Sequence, residues 1–133
     1  MVQFGRIYLI TLVVFFVVDL IWLGLIAKNI YNENIGHLMS EKVNWLAAGL
    51  FYLLYILGLV YFAVNPALMG EGLSYALRLG MLFGFFTYMT YDLTNLATLK
   101  DWPLKVTIID IAWGTFLGGS VSTVSYLLNK LIK

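Results

Sequence analysis

Residues Thr90–Pro103 read TYDLTNLATLKDWP, and they follow a run of apolar residues that has the length of a membrane span. Asp92, an asparagine and three threonines come before the first lysine of this stretch. Polar groups are costly in hydrocarbon unless they find partners inside the protein. The stretch therefore marks the end of a membrane helix and indicates a polar site within a helix bundle.

The composition around this stretch indicates the class of protein. The 133 residues are 62% hydrophobic and 11% charged, whereas soluble domains are about 45–50% apolar and about 25% charged. We therefore expect an all-α integral membrane protein. The net charge is +1 without a basic run, so nucleic acid is not an expected partner. There is no cysteine and no zinc-type histidine pair or phosphate-binding loop, so no metal or cofactor is expected.

Four apolar stretches predict four transmembrane helices in a compact bundle that forms a single domain, residues 1–133. The predicted spans cover residues 4–27, 45–64, 73–99 and 104–128, and a polar loop covers residues 28–44. The first run is too long for a signal peptide, so it is interpreted as a retained helix. The second span is expected to stop at Asn65-Pro66, because proline disfavours helix at the residue before it. Pro103 opens the fourth span, and the polar loop has the pattern of a short helix lying on the membrane surface.

An even number of spans places both termini on one side of the membrane. The basic residues are balanced between the two sides, with Arg6, Arg78, Lys130 and Lys133 on the side of the termini and Lys28, Lys42, Lys100 and Lys105 on the other. The positive-inside rule therefore selects no orientation. Two interpretations stay open, a single orientation set by other features or a dual topology with antiparallel pairing.

Three aspartates, Asp19, Asp92 and Asp110, fall inside the predicted spans. At 1.5 Å per residue, each lies roughly 10–12 Å from the same end of the bundle. Intramembrane ionisable residues usually face the bundle interior, so this layer indicates one polar site. Its negative charge calls for protons, a cation or a cationic ligand. The alternative is that the aspartates only join helices through hydrogen bonds.

Tryptophan, tyrosine and asparagine residues accompany this layer. The first and fourth spans share a pattern, DLIW at residues 19–22 and DIAW at residues 110–113, which puts an indole on the face of each aspartate. Tyr88 and Asn95 extend the face of Asp92 at i−4 and i+3. No catalytic residue is assigned. The predicted ligand-binding residues are Asp19, Trp22, Tyr88, Asp92, Asn95, Asp110 and Trp113.

Two G-x-x-x-G rows, Gly80–Gly84 and Gly114–Gly118, lie in the third and fourth spans, and Asp110 continues the second row at i−4. Small residues at this spacing let helix backbones approach closely. The rows predict close packing of the third and fourth helices within the chain. The other interpretation is a homodimer through Gly80/Gly84 or Gly114/Gly118.

The segment YDLTNLATLKDWP, with the DLIW of the first span and the DIAWG of the fourth, resembles an uncharacterised bacterial family catalogued as domain of unknown function 2177. The resemblance extends over essentially the whole chain. It implies a multi-pass protein of the bacterial inner (cytoplasmic) membrane, with membrane lipid as a partner. It implies no established activity, so no catalytic role follows from it.

Two classes of function fit the aspartate layer, with a third that needs no such site. In the first, the protein binds or transports protons or a small cationic or amphipathic ligand, since aromatic rings beside carboxylates suit organic cations. Its size and helix number are similar to those of small multidrug resistance transporters, which is an analogy of architecture only. In the second, it is a membrane-embedded enzyme that acts on a lipid or isoprenoid through paired carboxylates. The third is a helper subunit of another membrane protein.

Overall fold

The computed structural model describes residues 2–27 and 29–132, which form helices and turns and contain no β-strand. The predicted all-α class is therefore confirmed. Lys28 and Lys133, two of the basic residues counted for orientation, lie outside the described residues. The α-helices are α1 (Val2–Ile21), α2 (Ile30–Ile35), α3 (Trp45–Leu59), α4 (Leu73–Thr98) and α5 (Leu104–Ile132).

Two of these helices continue through π-helical turns, in which the backbone hydrogen bond joins residues five apart. α1 continues through Trp22–Ile26, and the Ala27 N–H donates to the Trp22 carbonyl at 2.7 Å. α3 continues through Val60–Val64 and Ala67–Glu71. These turns keep the segments helical, and a helix pairs most of its backbone groups within the segment, as a lipid environment requires.

Within the described part of the chain, three helices are long and apolar enough to cross a membrane, namely Gln3–Ile26, Trp45–Glu71 and Leu104–Ile132. α4 has 26 residues and is therefore about 39 Å long, which exceeds the roughly 30 Å of a bilayer core. Its composition is more polar because it carries Arg78 and Asp92 beside several threonines and tyrosines. Three of the four predicted spans thus have the apolar composition of a membrane helix, and α4 has only the length.

The prediction that the second helix stops at Asn65-Pro66 is wrong. Asn65 and Pro66 both have helical backbone angles, with φ of −63° and −59°. A proline ring normally clashes with the carbonyl four residues earlier, and the wider π-helical turn at Val60–Val64 relieves that clash. The chain reverses instead at Gly70 and Gly72, whose φ angles of 137° and 90° lie in the region that favours glycine.

The polar loop contains the predicted short helix, α2, followed by a 3₁₀ turn at Gly36–Leu38. The side chain of Tyr31 in α2 reaches Asp110 in α5, so this helix is tied to the bundle. His37 Nε2 lies 3.6 Å from Asp101 Oδ2 in the turn before α5. Both of these side chains are exposed, so their contact contributes little to stability.

The closest helix packing in the fold joins α4 and α5 along two rows of residues spaced by four. The rows are Gly80, Gly84, Tyr88 and Asp92 on α4, and Asp110, Gly114, Gly118 and Ser122 on α5. A Cβ atom at Gly84 would overlap the Gly114 carbonyl, and one at Gly118 would overlap the Gly80 carbonyl. The two i±4 rows therefore run antiparallel and in register, without room for a side chain between the glycines.

The glycine rows thus pack two helices of the same chain against each other, which is the first of the two interpretations made from the sequence. Gly80, Gly84, Gly114 and Gly118 are covered by the facing helix. A homodimer of this protein would therefore need a different surface.

Replacing Gly84 by alanine tests this close contact. The added methyl group would force α4 and α5 apart, and we expect a loss of about 1–3 kcal/mol in unfolding free energy, as for other overpacked interiors. The matched control is Gly49→Ala in α3, where a Cβ meets no atom within 4 Å. Unfolding of both variants in detergent micelles measures the difference, and equal stability of Gly84→Ala and the unchanged protein would contradict the packing described.

Candidate functional site

Asp110 lies where α1, α2 and α5 meet. Its Oδ1 accepts a hydrogen bond of 2.6 Å from the Tyr31 hydroxyl, which in turn accepts one of 3.1 Å from Trp22 Nε1–H. Burial, followed by the hydrogen bond to Asp110, raises the pKa of the Tyr31 hydroxyl well above its usual value. Tyr31 therefore stays protonated at physiological pH and remains a donor to the carboxylate.

The two tryptophans of the DLIW and DIAW patterns stack on each other. The ring centroids of Trp22 and Trp113 are 4.3 Å apart, and the ring planes differ by 7°. Such aromatic pairs contribute about 0.5–1.5 kcal/mol beyond the area that they bury. Trp22 also begins the π-helical turn of α1, a type of irregularity that often occurs at functional sites. The stack forms one wall of the site.

A small cavity of about 130 Å³ contains both Asp19 and Asp110. The Tyr52 hydroxyl lies 3.5 Å from Asp19 Oδ2, a long hydrogen bond. Each of the two aspartates is only 7% exposed. The cavity is lined by Asp19, Trp22, Leu23, Tyr31, Phe51, Tyr52, Tyr88, Asp110 and Trp113.

A larger cavity of about 510 Å³ adjoins the small one, and it lies within the usual range of small-molecule sites, about 300–1,000 Å³. It shares Phe51, Tyr88 and Asp110 with the small cavity, so Asp110 faces both. Tyr88 is seated over Gly114, because a Cβ at that glycine would overlap its ring. The larger cavity is lined by Phe51, Tyr55, Thr87, Tyr88, Tyr91 and Asp110.

Asp92 lies behind Asp110 at the end of the α4–α5 rows. It is fully buried, and no hydrogen-bond donor reaches either carboxyl oxygen. The register of the two rows, with Tyr88 over Gly114, puts Asp92 beside Asp110 one turn further along. Asp92 lines neither cavity, so it lies next to the site and is not part of its walls.

The structure brings together five of the seven predicted site residues around the small cavity, namely Asp19, Trp22, Tyr88, Asp110 and Trp113. Asp92 lies beside Asp110 at the end of the paired rows. Asn95 lies one turn further along α4, half-buried, and lines neither cavity. The three aspartates therefore lie at one end of the bundle, two of them in one cavity. Asn95 is not part of the cavity walls.

Five aromatic residues of the cavity walls were not singled out from the sequence, namely Tyr31, Phe51, Tyr52, Tyr55 and Tyr91. The spacing of Phe51 and Tyr55 by four along α3 was a usable signal, since it places both rings on one helix face. Tyr31 lies in α2, a helix of six residues, which is too short for a periodic pattern to mark an inward residue.

No positive side chain of residues 2–27 and 29–132 pairs with these aspartates. The ion pair found in these ranges is His37 with Asp101, at the surface. The same part of the chain contains no group of three or more histidine, cysteine, aspartate or glutamate side chains arranged to hold a metal ion. The described site is therefore acidic and aromatic, and tyrosine hydroxyl groups are the donors to its carboxylates.

Replacing Tyr31 by phenylalanine tests the link between α2 and the bundle. The ring stays, but the donor to Asp110 and the acceptor for Trp22 are lost, and an unpaired buried group costs about 1–3 kcal/mol. We expect faster amide hydrogen exchange in residues 30–38. Tyr61→Phe is the control, because the Tyr61 side chain is 63% exposed. Unchanged exchange in Tyr31→Phe would show that this hydroxyl does not hold α2 in place.

Comparison with known proteins gives one match. No curated protein and no solved structure matches the chain. A family model described as "Predicted membrane protein (DUF2177)" matches residues 4–127, a range that includes every residue of both cavities. The match confirms the resemblance noted in the sequence and agrees with the long apolar helices of the fold. The chain therefore belongs to the DUF2177 family of predicted membrane proteins.

Proposed function

We propose that the protein binds an amphipathic organic cation inside the membrane, between Asp19 and Asp110. The observation that carries this proposal is a single cavity that holds two buried carboxylates and is otherwise walled mainly by aromatic rings. A carboxylate attracts a cation strongly where water is scarce. Aromatic faces add about 0.5–2 kcal/mol of cation–π attraction.

The hydrogen bonds at the site favour a ligand that donates hydrogen bonds or carries a positive charge. Tyr31 donates to Oδ1 of Asp110, and Tyr52 lies nearest to Oδ2 of Asp19. Each carboxylate thus has a second oxygen for a ligand. A carboxylate without a proton only accepts hydrogen bonds, so an ammonium group or another cationic donor complements it.

Membrane topology is part of this proposal. Asp19 near the end of α1 and Asp110 near the start of α5 line one cavity, so these helices run antiparallel. The rows of α4 and α5 also run antiparallel. With α4 as a fourth span, the chain crosses the membrane four times and both termini lie on one side. The bacterial inner membrane, which the resemblance implies, is the proposed location.

An enzyme that uses Asp92 and Asp110 as acid and base is less well supported. Such a pair needs access to the substrate for both carboxyl groups. Asp92 is fully buried and lines neither cavity, so a bound molecule meets only Asp110 of the two. A fully buried carboxyl group that no donor reaches is best accommodated in its neutral, protonated form. Asp92 therefore fits better as the holder of a proton next to the binding site, and a cation bound at Asp110 would displace that proton. Exchange of a cation for a proton would make the protein a transporter.

Reporter fusions at the two termini test the topology. We expect both reporters on the same side of the membrane in each molecule, because four spans return the chain to its starting side. Reporters on opposite sides would show that α4 does not cross. A mixture, in which some molecules have both reporters on one side and other molecules have both on the opposite side, would indicate dual topology.

Asp110→Asn tests the binding site, because it keeps the shape of the side chain and removes its charge. With a tritiated short-chain alkyl quaternary ammonium ion as the probe, we expect binding in lipid nanodiscs to weaken by about tenfold or more, or about 1.4 kcal/mol. Asp101→Asn is the matched control, because the side chain of this aspartate is 68% exposed and lines neither cavity. Equal binding by the two variants and the unchanged protein would rule out Asp110 as the cation site.

A further inference from the structure

An apolar groove on the outer surface of the bundle leads to the acidic site. It lies between α3 and α4, has a volume of about 670 Å³, and shares Thr87 with the larger cavity, so the two hollows adjoin. Its outer side chains are open to the surroundings, with Phe62 and Phe86 each 54% exposed. The groove is lined by Phe62, Leu79, Leu82, Phe83, Phe86, Thr87 and Thr90.

The floor of the groove is a fixed aromatic ring. Phe83 rests against Gly58 of α3, where a Cβ would lie 2.7 Å from the end of its ring. The centroid of the Phe83 ring lies 5.1 Å from that of Tyr55 and 6.1 Å from that of Phe62, with which it stacks. Because Tyr55 also lines the larger cavity, Phe83 and Tyr55 together connect the groove wall to the site.

The polar groups of the groove are already used by the helix. The Thr87 hydroxyl donates to the Phe83 carbonyl at 2.8 Å, and the Thr90 hydroxyl donates to the Phe86 carbonyl at 2.6 Å. These two threonines therefore present mainly their methyl groups to an occupant. Such a surface suits a hydrocarbon chain and gives little to a sugar or another polar group.

The larger cavity and the groove together form a long path beside α4. From Tyr91 in the larger cavity to Leu79 at the far end of the groove, α4 rises through twelve residues, or about 18 Å. A hydrocarbon chain that lies along this path would run from the level of Asp110 to that of Leu79.

We infer that the ligand is a long-chain cationic amphiphile with a single hydrocarbon chain. Its positively charged head lies between Asp110 and Asp19, and its chain lies in the groove between α3 and α4. The head reaches the site sideways from the bilayer, past Thr87, while the chain stays in an apolar environment. This inference rests on the proposed function, because it identifies the class of ligand for the same site.

Photo-crosslinking tests the position of the chain. The probe is a long-chain primary amine with a diazirine at the far end of its chain, added to the protein in nanodiscs of zwitterionic lipid. We expect labelled residues in the segment 79–86 of α4 and near Phe62 of α3. An excess of the short-chain quaternary ammonium ion should abolish this labelling, and so should Asp110→Asn. An uncharged long-chain alcohol with the same diazirine should give labelling that neither change removes.

A groove-filling variant separates this inference from the proposed function. Leu82→Trp places a large ring in the groove and should abolish labelling by the long-chain amine while the short-chain cation still binds. Leu77→Trp is the control, because Leu77 lies outside the groove and lines a hollow between α4 and α5. If the long-chain amine binds in a way that depends on Asp110 but labels residues outside the groove, this inference alone would be overturned. Absence of any binding that depends on Asp110 would overturn the proposed function as well.

Discussion

The rest of the structure depends on the packing of glycines against backbone carbonyl groups at the interface of α4 and α5. Gly84 faces the carbonyl of Gly114, and Gly118 faces that of Gly80, so the register of the two helices matches glycine to backbone along the interface. Both rows then continue by steps of four to the acidic end of the bundle. That register seats Tyr88 over Gly114 and, one turn further along, puts Asp92 beside Asp110. The same close approach thus sets both the packing of the helices and the chemistry of the site.

Much of this arrangement is readable in the sequence because it follows helical periodicity. Apolar runs indicate the helices, and the four-residue spacing of Gly114 from Asp110 indicates which residues share the packed face. Prediction fails where the helix departs from regular geometry or where no helix sets the direction of a side chain. The helix accommodates Pro66 because a π-helical turn precedes it, and no residue type in the sequence predicts such a turn. Tyr31 reaches Asp110 from a six-residue helix in a loop, and only the tertiary fold brings the two together.

Tyrosine is the residue that lets carboxylates remain in this apolar bundle. Tyr31 and Tyr52 come from different helices and contact different aspartates, each offering an apolar ring to the core and a hydroxyl to a charged group. Lysine or arginine in these positions would neutralise the carboxylates. A hydroxyl stabilises a carboxylate and leaves its charge in place. The site is thereby stable enough to persist and still lacks a positive partner among the described residues.

The polar composition of α4 has a consequence for how the chain is made. A helix with Arg78 and Asp92 gains less than its neighbours from entering lipid alone, since each charged residue costs about 2.5–3.5 kcal/mol at a helix centre on insertion scales. The turn of five residues from Leu99 to Pro103 joins it directly to α5, whose glycine row matches its own. If α4 crosses as proposed, the two helices would leave the translocon as a hairpin, with the apolar surface of α5 offsetting the insertion cost of its partner. Biogenesis would then depend on the same glycines that shape the mature fold.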